Sequence, residues 1–121
     1  MGRTRYTDVY DHLKQKSFDV YTPGQHEGEC VTSYVVVKGS GMNQAGNYSS
    51  NQYLYDVMCY VPKNKYTFLE EYVESVKDAM RELEPMILPM HFQTSPFYDD
   101  SVKGHMVSIQ YCNYRRMKSR Y

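Results

Sequence analysis

The chain has 121 residues, 41% of them hydrophobic, with 14 basic and 14 acidic side chains and a formal charge of zero. That length suits one domain with one core. Balanced charge argues against a chain built mainly to grip phosphate backbones or anionic membranes, and no apolar run approaches the ~20 residues of a membrane span. The start, Met1-Gly2-Arg3-Thr4-Arg5, lacks the apolar stretch of a signal peptide, which predicts a cytoplasmic site of synthesis and folding. Cys30, Cys59 and Cys112 are odd in number and widely spaced, so they read as half-buried thiols and not as a disulfide or zinc pattern. Fourteen tyrosines and no tryptophan suit surfaces that become buried on assembly, although tyrosine also simply serves as a strand former.

A first helix is predicted over residues 7–16, capped by Thr4 or Thr7, with Tyr6, Val9, Tyr10 and Leu13 as its apolar stripe. Phe18, Val20 and Tyr21 form a brief extended leg, and Thr22-Pro23-Gly24-Gln25 is a turn. Residues 29–38 read as a strong strand whose Val35-Val36-Val37 run suggests burial on both faces.

Residues 39–52 hold three glycines, three serines and three asparagines, and read as a long, flexible hairpin loop. Met42, Asn43, Asn47 and Tyr48 within it, and Tyr53 at its edge, are the candidate partner-docking residues. Gly39-Ser40-Gly41 lacks the Lys-Ser/Thr and the helix of a phosphate loop.

The next strand, residues 53–61, is rich in β-branched and aromatic side chains and stops at Pro62. Asp56 lies in its middle, either on an exposed face or across a subunit boundary from a basic partner. Thr67-Phe68-Leu69-Glu70 has the pattern of a capping box. Leu69, Tyr72, Val73, Val76, Met80 and Leu83 then fall on one helical stripe, and Pro85 ends the helix. A one-sided helix directly after a strand requires a sheet to cover.

Residues 91–94 form a further strand, turn residues follow, and residues 105–112 form the last strand, with Val107, Ile109 and Tyr111 facing inward. Arg115, Arg116, Lys118 and Arg120 make a basic, frayed end over residues 115–121. Strands arrive in consecutive groups. The expected fold is therefore a single α+β domain over residues 1–121, a two-layer sandwich with a largely antiparallel sheet and two helices packed on one face.

No catalytic set emerges. His91 and His105 flank the last turn and could face each other across a hairpin, but a metal would need a third ligand from Asp99 or Asp100. A double-stranded-RNA module would need lysines where Glu70, Glu71 and Glu74 stand, and so fails on sign. No catalytic, cofactor or metal residue is assigned.

The element order, the long polar loop, the stretch YLYDVMCYVPKNKYTFLEEYVESVKDAMREL and the final GHMVSIQYCNYRRM together resemble the tail terminator, or tail-to-head joining, proteins of long-tailed bacteriophages and phage-tail-like particles. The resemblance spans nearly the whole chain and rests on size and layout, with no catalytic signature. It implies a structural subunit of a hexameric ring at the head-proximal end of the virion tail, assembled in the host bacterial cytoplasm. Its partners are then further copies of itself, the tail tube protein and the head–tail connector proteins. Neither a cofactor, a membrane nor sequence-specific nucleic acid binding is implied, although the genome would pass through the ring. The alternatives are a head-completion or stopper ring, a minor tail component, or, from another class, a small soluble enzyme or ligand-binding domain using His91, His105 and the Asp99-Asp100 turn.

Overall fold

The structure, a computed structural model, describes residues 5–44 and 50–116. Helix α1 (Arg5–Gln15) is followed by strands β1 (Val20–Tyr21), β2 (Tyr34–Gln44) and β3 (Ser50–Pro62). A 3-10 segment (Lys63–Phe68) leads into helix α2 (Leu69–Arg81), and strands β4 (Leu88–Gln93), β5 (Phe97–Asp99) and β6 (Gly104–Arg116) complete the order.

Among the described residues the sheet runs β1-β2-β3-β6-β4, with β5 paired to β6; β1 pairs with β2 in parallel and the other pairings are antiparallel. Both helices cover one face, so the fold is the α+β arrangement that grouped strands require. Period-two alternation sends Val35 and Val37, then Tyr55, Val57, Cys59 and Val61, then Val107, Ile109 and Tyr111 to that face, where all are buried. Val9 and Leu13 of α1 and Leu69, Val73, Val76, Ala79 and Met80 of α2 close over them, with Ile87 from the connection after α2.

Several local expectations are corrected. Strand β2 begins at Tyr34 and not at residue 29: the Cys30 N–H donates instead to the Val102 carbonyl at 2.6 Å, and Val31 is left 74% exposed. The capping box does not form: the chain is already in a 3-10 turn before α2, Phe68 occupies the N-cap position, and no side chain caps the helix. Thr67 therefore lies inside a turn instead of ahead of one.

The largest correction concerns residues 39–52. Most of what reads as a loop is ladder: Gly41 pairs with Leu54, Met42 with Tyr53, Asn43 with Gln52, and Gln44 with Asn51. A bulge between Gly39 and Gly41 absorbs the glycines, with Gly41 at φ +112°, which a side chain would strain. Polar composition signalled a loop, but a ladder needs only backbone groups on strands that β6 already holds in place through Arg116.

At the other end of the sheet, Gly104 marks a close approach. A Cβ there would stand 2.9 Å from both the Cys30 Cβ and the Val61 carbonyl oxygen. Gly104→Ala is expected to destabilise the fold by about 2 kcal/mol, read from denaturant midpoints, because two neighbours must shift.

Candidate docking surfaces

Sheet alternation that buries one face leaves a second face that neither described helix covers. On it Tyr34, Val36, Met58, Tyr60 and Met106 gather at the β1 end, and the segment after β1 folds back to cover part of them. The His26 ring stacks on Tyr34 at 3.9 Å between centroids, and Tyr34 stacks on Tyr60 at 4.7 Å. Tyr21 meets both His26 and Tyr34 edge-on. Burial raises the Tyr34 hydroxyl above its ordinary pKa, with Cys30 adding to the effect, and burial pushes the Cys30 thiol up to about 11. Tyrosine abundance is thus partly structural: four aromatic rings form a second, smaller core.

Further along this face, Asp56 lies opposite Lys38 on β2 and Gln110 on β6, and its Oδ1 accepts from the Gln110 amide at 3.5 Å. Asp56 is half-buried on the face that neither described helix covers.

Beyond the helices β2, β3 and β6 form a three-stranded arm. Met42 and Tyr114 are each about half exposed on it, and Asn43 is exposed. Gln52 donates to the Tyr114 hydroxyl at 3.0 Å, which links β3 to β6. Tyr53 lies on the helical face, packs partly buried against the core and carries the Arg115 guanidinium 5.9 Å from its ring centroid. Just above it the Tyr55 hydroxyl donates to the buried Asn113 Oδ1 at 2.6 Å. Asn47 and Tyr48 lie outside the described residues.

His91 and His105 do not meet. His105 pairs with Tyr98 on β5, lies between the Tyr66 and Tyr98 rings, and approaches the Lys63 carbonyl at 3.1 Å through Nε2. His91 sits at φ +58° in the irregular stretch of β4 between Pro89 and Gln93. Asp99 accepts from the Ser101 backbone and hydroxyl, which accounts for it as a turn residue. Among the described residues no group of three His, Cys, Asp or Glu side chains is placed to share a metal ion, and no helix is long and apolar enough to cross a membrane.

Two flanks of α2 carry features that sequence patterning missed. On one, a groove of about 490 Å³ opens between Val31–Ser33 on one side and Pro62, Phe68 and Tyr72 on the other. On the opposite flank Lys77 and Arg81 face β4, where Phe92 stands 57% exposed beside His91. Phe92 had a signal in the sequence, an apolar residue in a short strand next to a turn, but its exposure follows from the backbone irregularity at His91. Comparison with known proteins finds no family model and no curated protein that matches this chain.

Proposed function

We propose that this chain is the subunit of a ring that caps a phage tail tube, ends tube polymerisation and presents the head-joining surface. Its role is assembly and not catalysis. It works at the head-proximal end of the virion, between tail tube protein and head–tail connector proteins, after assembly in the bacterial host. One observation carries the reading. The described surface concentrates its unusual features in places suited to protein contacts: a three-stranded arm with Met42 and Tyr114 exposed, and a helix-free sheet face with Asp56 at its centre. Aromatic and Met side chains exposed on paired strands are suited to anchoring a partner. The size and element order that resemble tail terminators support the same reading.

Shortening the arm tests it. Replacing residues 43–52 by Asn-Gly sets a two-residue turn on the paired Met42 and Tyr53, and Met42→Ser removes the apolar anchor. The helices and the inner sheet face stay untouched, so the melting temperature should move by only a few degrees, about 1 kcal/mol. Tails made with this variant should lack length control or stay unjoined to heads in electron micrographs. Tails of normal length joined to heads would refute the arm's role.

A further inference from the structure

We propose that the pocket between α2 and the irregular stretch of β4 binds a small aromatic carboxylate, its ring against Phe92 and Ile109 and its carboxylate accepting from Tyr111, Lys77 and Arg81. The site is separate from the arm and does not depend on the ring reading. Three observations lead to it.

The first is how the backbone makes the pocket. Strand β4 pairs with β6 through Pro89 and Tyr111 and again through Gln93 and Ile109, so Met90, His91 and Phe92 together face Gln110 alone. The surplus residues cannot lie in the ladder, and the chain turns out of it at His91, with φ +58°. A histidine rarely holds that conformation, and residues held so gather at binding sites. Beside this bulge a pocket of about 370 Å³ opens, with Pro89 and Phe92 from β4 and Ile109 and Tyr111 from β6 among its walls. Small-molecule sites fall in the range of roughly 300–1,000 Å³.

The second is an unused hydroxyl. Tyr111 is only 4% exposed, yet no described residue hydrogen-bonds to its hydroxyl. Among the described residues the side-chain polar atoms both sealed from water and unpartnered are His26 Nδ1 and the Tyr72 hydroxyl. The Tyr111 hydroxyl therefore keeps an opening, and the pocket that its residue lines is that opening. Burial raises this hydroxyl above its ordinary pKa, so it stays protonated and can donate. A buried polar group without a partner calls for one.

The third is the inventory of donors. Lys77 and Arg81, one turn apart on α2, meet His91 and Gln93 at the pocket, and no described carboxylate lines it. Glu74 and Asp78 pair with Lys77 and Arg81 along the exposed side of the helix. Each such pair is weak and occupies only part of a head group that carries several N–H donors. A pocket rich in donors and short of acceptors selects an acceptor, and a carboxylate can take a hydroxyl and two N–H groups at once. Its apolar walls choose the other end of the ligand: Phe92, 57% exposed, and Ile109 offer a surface to an aromatic ring.

The test titrates the full chain, labelled with 15N, with 3-phenylpropionate and follows the backbone amide shifts. A ligand this small should bind with a dissociation constant on the order of 1 mM. Shifts should centre on residues 89–93, Ile109 and Tyr111. Tyr111→Phe removes only the hydroxyl and leaves the packed ring, so the melting temperature should hold while binding weakens about 10-fold. Phe92→Ala should weaken binding about 5-fold. The amine 3-phenylpropylamine, with the same ring and a head group that only donates, should give no saturable shifts.

A wild-type chain without saturable shifts well above that concentration would overturn the site. So would a Tyr111→Phe chain that binds as the wild type does, because ring burial alone would then account for the uptake. Unchanged affinity in Phe92→Ala would overturn the placement of the ring. An amine bound as tightly as the carboxylate would overturn the ligand class.

Discussion

Val76→Asp is expected to abolish the folded state or bring it close to unfolding at neutral pH. Val76 is fully buried in α2, inside the cluster that joins both helices to the inner sheet face. A carboxylate there has no partner and is cut off from water, a situation that costs about 4 kcal/mol against a total stability of ~5–15. The cost has a pH signature. Burial raises the carboxyl's folded-state pKa, so the penalty is absent below the unfolded value of about 4 and grows as pH rises above it. Thermal melts followed by circular dichroism should show a deficit that is large at neutral pH and much smaller near pH 4. A melting temperature equal to that of the wild type would mean that this face of α2 does not meet the sheet.

Alkaline unfolding is the second large effect. Burial pushes the Cys59 thiol up from 9.0 to about 12, and burial likewise raises the hydroxyls of Tyr34, Tyr72 and Tyr111 above 10.0. All four groups are neutral in the fold and would have to be charged in place at high pH. Each folded-state pKa is raised, so each contribution is complete below the unfolded value and is lost as pH climbs toward the folded one. For fully buried Cys59 that amounts to on the order of 4 kcal/mol across pH 9.0 to about 12. The tyrosines add to the loss from pH 10.0 upward. Far-ultraviolet circular dichroism should therefore collapse above about pH 10, with phenolate absorbance rising in the same transition. Cys59→Ala should make the pH dependence shallower. Tyrosines that all ionise near pH 10 while the dichroism is unchanged would show that these rings are not buried as described.

Which parts of the molecule the sequence could disclose follows from the range of the forces involved. The helix over residues 69–81 and the inward set Val107, Ile109 and Tyr111 were legible because periodicity is a property of neighbours along the chain. So was the α+β class, since strands grouped between two one-sided helices leave few ways to bury both faces. Local chemistry misled where a longer-range partner competed. Thr67 and Glu70 match a capping box, but Pro62 starts a 3-10 turn early enough to pass the cap to Phe68. Polar residues 39–44 looked like a loop, yet backbone pairing to β3, itself held by β6, makes them strand.

Composition, spacing and charge sign by themselves determined the class, the core stripe of α2 and its solvent-side carboxylates. Tertiary structure alone decided which side chains meet. It separated His91 from His105, stacked His26 on Tyr34 and Tyr34 on Tyr60, and put Phe92 and the Val31–Phe68 groove on opposite flanks of one helix. The reason is physical. Burial patterns are written in steps of two to four residues, whereas a docking surface is assembled from segments tens of residues apart, whose mutual position only the packed core sets.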